Sequence, residues 1–288
     1  MATYIGAIDQ GTSSSRFMVF DKQGNIVESH QTEFPQYYPD AGWCEHDPIE
    51  ILDSVTLCIN ETVEKMKARG LNPADIKAVG ITNQRETTVV WDRLTGEPLH
   101  NAVVWLDTRT RSTVEKLVAR TPTKKTDYYQ GKCGLPFSTY FSGVKLRWLL
   151  DNKPEIETAH KEGRLMFGNI DSWLIYRLTG GAAGGVHVTD VTNASRTMFM
   201  NLRSLTWDDE ICSFFEINKD ILPRVASSSE VYGHFADGPL KGFPISGDLG
   251  DQQAAFVGQR CTKPGTVKNT YVRSGVPTVR LFSLFTRP

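Results

Sequence analysis

The chain has 288 residues, 40% of them hydrophobic and 23% charged, with a formal net charge of −1. That is length enough for about two domains of an ordinary globular protein. The balanced charge offers no footing for nucleic acid or an anionic membrane. No apolar run is long enough for a membrane span, and no basic segment followed by an apolar one marks a signal peptide. Cys44, Cys58, Cys133, Cys212 and Cys261 contain no Cys-x-x-Cys pair. Scattered thiols predict a reducing, cytoplasmic setting and argue against a zinc or disulfide framework.

The first predicted element is a hairpin. Apolar runs at 4–8 and 17–20 read as buried strands, and the polar stretch 9–16 reads as the loop between them. Gly11 lets a ligand approach the backbone closely. Thr12, Ser13, Ser14 and Ser15 offer hydroxyl and amide donors, and Arg16 adds positive charge, a set suited to phosphate oxygens. Asp9 stands where a carboxylate can hold magnesium. An ordinary turn capped by Ser and Thr fits the same residues, and the short pattern does not choose.

A third strand begins at Ile26, and 34–43 reads as an extended loop. Asp47, Pro48 and Glu50 predict a helix start with a capping box. Ile49, Leu52, Val55, Ile59, Val63 and Met66 form its core face, and Gly70 ends it. Residues 76–81 read as a strand parallel to the first. Further strands are predicted at 87–91, 103–105 and 165–167, and helices at 108–119, 142–150, 171–178 and 208–215. The glycine-rich 180–185 lacks phosphate-loop spacing and follows a helix, so it reads as a surface connection.

Three places carry possible chemistry. Asn83, Gln84, Arg85 and Glu86 follow a buried strand, where open α/β sheets bind ligands. Arg85 donates to hydroxyl oxygens and Glu86 accepts from hydroxyl hydrogens, which suits a polyol; a surface ion pair is the plainer alternative. Tyr140 combines an apolar ring with a hydroxyl, and packing alone also explains it. In 245–255 a glycine-flanked acid, Asp251, opens a small-residue helix as a cap or as a base that takes an alcohol proton.

Asp-Gln-Gly-Thr at 9–12 resembles the first phosphate loop of the actin, hexokinase and heat-shock chaperone superfamily, and of the FGGY carbohydrate kinases in particular. Gly-Ile-Thr-Asn-Gln-Arg-Glu-Thr-Thr at 80–88 resembles the same family's polyol-binding segment. The stretches 138–148, 167–174, 187–197 and 245–255 are similar to it in order. The resemblance implies an α/β, ribonuclease-H-like domain, its mixed sheet flanked by helices, with a second domain only begun. It also implies phosphoryl transfer from ATP to glycerol. Arg85, Glu86, Tyr140, Asp251 and Gln252 are then the substrate contacts, with Trp105 lining the same pocket. Asp251 is the general base. Thr12, Ser13, Ser14 and Arg16 hold the nucleotide, and Asp9 and Asp251 hold Mg2+. Asp171 is taken as a helix cap, and Asn193 and Arg196 as scaffold groups that satisfy backbone.

The implied division is 1–253 for the N-terminal domain, 254–271 for the start of the C-terminal one, and 272–288 for a divergent tail. Asn269-Thr270-Tyr271 leads into Val272-Arg273-Ser274 where a Gly-Thr-Gly turn is expected. A truncated form with impaired activity follows as an expectation. Another FGGY sugar kinase, or a non-catalytic form that binds glycerol or a full-length partner, are the alternatives. Association into a homo-oligomer stays open.

Overall fold

A computed structural model describes residues 3–270; the expected tail 272–288 lies outside the described residues. Its centre is a mixed six-stranded sheet. Strand β1 (Tyr4–Gln10) pairs antiparallel with β2 (Ser14–Phe20), which pairs antiparallel with β3 (Ile26–Glu33). On its other side β1 runs parallel to β4 (Ile76–Asn83). Residues 84–232 then leave and return before β5 (Gly233–His234) and β6 (Pro244–Gly250) complete the order β5-β6-β4-β1-β2-β3.

Helix α1 (Pro48–Ala68) covers β1, β2 and β3. Asp47 Oδ1 accepts from the Ile49 amide at 2.7 Å, a cap worth about 1 kcal/mol. The capping box does not form: Glu50 Oε1 accepts instead from the Tyr37 hydroxyl at 2.8 Å. At the other end the Gly70 amide donates to Lys67 O and the Leu71 amide to Met66 O, both at 2.9 Å. Gly70 has φ +73°, the left-handed backbone this closing motif requires. Ile51, Val55, Cys58, Val63 and Met66 press on Ile8, Phe17, Val19, Val79 and Ile81 in one core. Ile49 and Leu52, expected on that face, are partly buried at its margin.

The excursion 84–232 carries a second core built on Val90, Val103, Leu146, Leu149, Phe167, Phe199 and Phe215. Its helices include α2 (Arg111–Arg120), α3 (Ser142–Asn152), α4 (Ile170–Leu178) and α5 (Asp209–Phe214), each within a few residues of its predicted bounds. Asp171 is not the cap expected, and Ser142 does not cap its helix either. Phe141 and Asn169 occupy those N-cap positions, and neither makes a side-chain cap bond. Asn169 Nδ2 donates to Thr87 O and Ser142 Oγ, both at 2.9 Å, which ties α3 to the turn after β4. The strands predicted at 87–91 and 103–105 shorten to Val89–Asp92 and Ala102–Val103. Thr87 Oγ1 donates to Gln84 and accepts from the Trp105 amide, and these bonds hold the flanking chain in a bend. Residues 181–183 of the glycine-rich connection form a single 3-10 turn.

The hairpin loop is shorter than its polarity suggests. Asp9 and Gln10 belong to β1, and Ser14, Ser15 and Arg16 to β2. The ladder continues through Asp9 opposite Arg16 and Gln10 opposite Ser15. Only 11–13 turn, closed by the Gly11 amide on Ser14 O at 2.9 Å. Polar side chains do not stop a ladder when its backbone bonds are met.

Candidate functional site

The carboxyl ends of three parallel strands lie side by side. Gln10 of β1 is in register with Asn83 of β4, and Asn83 with Gly250 of β6. The residues that follow each strand must therefore share one edge, which is where open α/β sheets place ligands. Arg85 leaves β4 there, and Asp251 opens α6 (Asp251–Gly258) beyond β6.

Arg85 Nε donates to Asp251 Oδ1 at 3.1 Å, although the two are 166 positions apart. Gly250 makes this approach possible: a Cβ there would stand 2.4 Å from Arg85 Cδ. Asp251 is the first residue of its helix and Gly250 the N-cap, so the expected capping role falls one position away. Glu86 has φ +61°, and its buried carboxylate accepts from Arg196 Nε. Arg196 thus pairs with Glu86 and does not satisfy backbone as expected. Its guanidinium also sits 4.9 Å from the Phe141 ring centroid and 5.8 Å from that of Tyr140.

Tyr140 and Trp105 meet with centroids 5.6 Å apart, and Trp105 Nε1 donates to Thr12 Oγ1 at 2.9 Å. This joins the phosphate-loop turn to the aromatic wall. Trp105, Tyr140, Phe141 and Arg196 line a cavity of about 340 Å3. Behind them Lys145 is fully buried, its Nζ donating to Thr139 O at 2.9 Å and Tyr140 O at 2.5 Å. Burial pushes its pKa down to about 7 and that of Tyr140 up to about 12.

Asp9 is mostly buried, which raises its pKa; Arg16 offsets part of that, and the charge of Asp251 adds to it. The Asp9 carboxylate, with the Asp251 charge close enough to act on it, offers hard oxygens of the kind magnesium takes. Arg16 reaches Asp9 at 3.5 Å and also donates to Gln31. Ser14 Oγ accepts from Gln31 Nε2 at 3.0 Å, and Ser13 is exposed at the turn. Ser15 faces the other way, buried against the Ser54 hydroxyl at 2.7 Å, and is closed to a ligand. Gln252 Oε1 accepts from Lys268 Nζ and Thr270 Oγ1, both at 2.9 Å. Lys268 was not singled out in the sequence, because nothing local distinguishes it from a surface lysine. The glycine-rich 180–185 borders a different cavity, of about 570 Å3, whose walls contain none of the predicted site residues.

The mixed sheet, its flanking helices and this shared edge define a sugar-kinase domain with the actin and hexokinase ATPase fold. Residues 4–258 match the FGGY family of carbohydrate kinases, N-terminal domain, and the chain belongs to that family. It is 51% identical to a probable glycerol kinase of Caenorhabditis elegans, over 99% of this chain and 55% of that protein. It is also 51% identical to a glycerol kinase of Arabidopsis thaliana, over 93% and 51%. Among solved structures, Plasmodium falciparum glycerol kinase with ADP superposes with a TM-score of 0.85 at 40% identity, covering 92% of this chain and 51% of that one. A ligand-bound xylulose kinase from Lactobacillus acidophilus gives 0.76 at 26%, covering 90% and 50%. The chain spans about half the length of the relatives it matches.

Proposed function

We propose that the protein transfers the terminal phosphate of ATP to glycerol, giving sn-glycerol 3-phosphate. The observation that carries the reading is the Arg85–Asp251 contact at 3.1 Å, beside the Glu86–Arg196 pair and the Trp105–Tyr140 wall. A small triol needs donors, acceptors and an apolar side within one short span, and these residues supply all three. Identity of 51% to glycerol kinases, against 26% to a xylulose kinase, favours glycerol over a longer sugar.

Arg85, Glu86, Tyr140 and Gln252 hold the triol. Thr12, Ser13, Ser14 and Arg16 hold the terminal phosphates. Asp9 and Asp251 are the residues that would hold Mg2+, which neutralises phosphate charge when bound. A primary hydroxyl of glycerol forms the new bond to the γ-phosphorus as the bond to the bridging oxygen breaks. The hydroxyl proton passes to Asp251, and ADP leaves with the electron pair of the broken bond. Five buried, unbridged thiols suit a reducing compartment such as the cytoplasm.

Two measurements on this chain test the reading: calorimetric titration with glycerol, xylulose and gluconate, and ADP release with each. Saturable heat from glycerol alone supports the assignment, and ADP release then separates a catalyst from a non-catalytic binder. No heat with glycerol, or heat with xylulose or gluconate instead, refutes it.

A further inference from the structure

Inside the fold, behind the strand that presents Asp251, three carboxylates meet. Asp171 lies in α4, Asp190 precedes the short helix Val191–Ala194, and Asp248 lies on β6. One oxygen from each is within 4.8 Å of the others, and all three residues have no exposed surface. Asp190 is fully bonded: it accepts from the amides of Thr192 and Asn193, the hydroxyls of Thr192 and Ser228, and Asn193 Nδ2. The other two are not. Asp171 Oδ2 accepts from the Thr189 hydroxyl at 2.5 Å, and Asp248 Oδ1 has a long 3.5 Å contact from Asn193 Nδ2. The backbone amides of Ser172 and Asp190 also face Asp171 and Asp248, whose carboxyl groups lie within hydrogen-bond reach of one another. Asp171 Oδ1 and Asp248 Oδ2 are sealed from solvent and receive no donor among the described residues.

These donors to the cluster are all neutral hydroxyl and amide groups. Buried carboxylates are ordinarily paired with a cation or bound to a metal. Here no Lys or Arg side chain donates to the three among the described residues, and burial together with their mutual repulsion raises the pKa values of Asp171 and Asp248. We propose that Asp171, Asp190 and Asp248 bind one hard divalent cation, of the Mg2+, Ca2+ or Mn2+ class. An all-oxygen set without His or Cys selects that class over zinc. The 4.8 Å limit on separation admits ligand distances of about 2.1–2.4 Å. This site is separate from the Asp9–Asp251 pair and does not depend on the proposed reaction. The Gly250 amide donates to Thr192 Oγ1 at 2.8 Å, and Thr192 Oγ1 in turn donates to Asp190. A cation there would therefore fasten the end of β6, and with it the start of α6.

The test uses the chain stripped with EDTA, free of nucleotide, and Mn2+ as the probe followed by electron paramagnetic resonance. Asp251→Asn is the background, which removes the other carboxylate pair. One bound Mn2+ per chain is expected in that background. Adding Asp248→Asn should weaken it by more than about 100-fold, beyond the loss a merely supporting residue causes. The Tm should rise with Mn2+ only when Asp248 is present. Equal Mn2+ binding with and without Asp248 would overturn the proposal. So would no binding in either, with Asp248→Asn raising the Tm regardless of metal, because that is how a shared proton behaves. Should the double variant not fold, metal content of the Asp251→Asn protein by native mass spectrometry decides, and absence of one equivalent after Mn2+ dialysis rejects the site.

Discussion

Gly250→Ala isolates the contact between Arg85 and Asp251 without touching either side chain. Gly250 has φ −57° and ψ 144°, which alanine adopts freely, so backbone strain does not enter. The new methyl would stand 2.4 Å from Arg85 Cδ, 2.7 Å from Cγ and 3.1 Å from Gln253 Oε1. The arginine must move. Overpacking costs about 1–3 kcal/mol, and the smaller unfolded-state entropy of alanine returns about 0.4–1 kcal/mol. Losing the ion pair adds well under about 1 kcal/mol, since the Asp251 side chain is 40% exposed and water screens it. The protein stays folded, about 1–2 kcal/mol less stable. Glycerol binding suffers more. A displaced Arg85 withholds a charged hydrogen bond worth about 1.5–3 kcal/mol, a loss of about 10- to 150-fold in affinity. Titration calorimetry with glycerol, alongside a denaturant midpoint, reads both. Arg85→Ala should give the same affinity loss, and the double variant no further loss, because one group is removed by two routes. A folded Gly250→Ala protein whose glycerol Kd stays within about twofold of the parent would refute the reasoning.

Lys145 makes the pH dependence testable. Its folded pKa is near 7 against an ordinary value of 10.5, so between those pH values the unfolded chain binds more protons. This group therefore adds stability as pH rises from 7 towards 10. Denaturant midpoints at pH 7 and 9 should show a rise that Lys145→Met removes; equal slopes in both proteins would disprove it. Asp251→Asn should slow phosphoryl transfer about 10²- to 10⁴-fold, read in single-turnover experiments, while glycerol affinity changes far less. Near-parental turnover would move the base elsewhere. Trp173 is fully buried, and its Nε1 donates to Pro48 O at 2.8 Å. Trp173→Phe leaves that carbonyl without its donor and should lower stability by about 1–3 kcal/mol, measured by chemical denaturation; an unchanged midpoint would mean the bond contributes nothing.

Part of this fold follows from neighbours in the chain alone. The strand starts at Tyr4 and Ile26 follow from apolar patterning, and α1 from Asp47, Pro48 and Gly70 at its ends. The parallel strand at Ile76 follows from helix-then-strand order, and the family from motifs that are contiguous in the chain. The placement of Arg85 and Glu86 after a strand, and of Asp251 at the start of a helix, was legible for the same reason. Other assignments depended on partners that only the tertiary structure supplies. Arg196 is an ordinary polar residue until Glu86, 110 positions away, accepts from it. Glu50 is a capping-box residue by spacing, but Tyr37 takes its carboxylate first. Ser15 looks like its neighbours at the turn, yet strand alternation turns it inward against Ser54. Asp171 lies in the first turn of its helix and accepts instead from Thr189, beside two other buried acids. A carboxylate or guanidinium reaches several ångströms in any direction, and sequence spacing does not say which distant group folding brings within that reach.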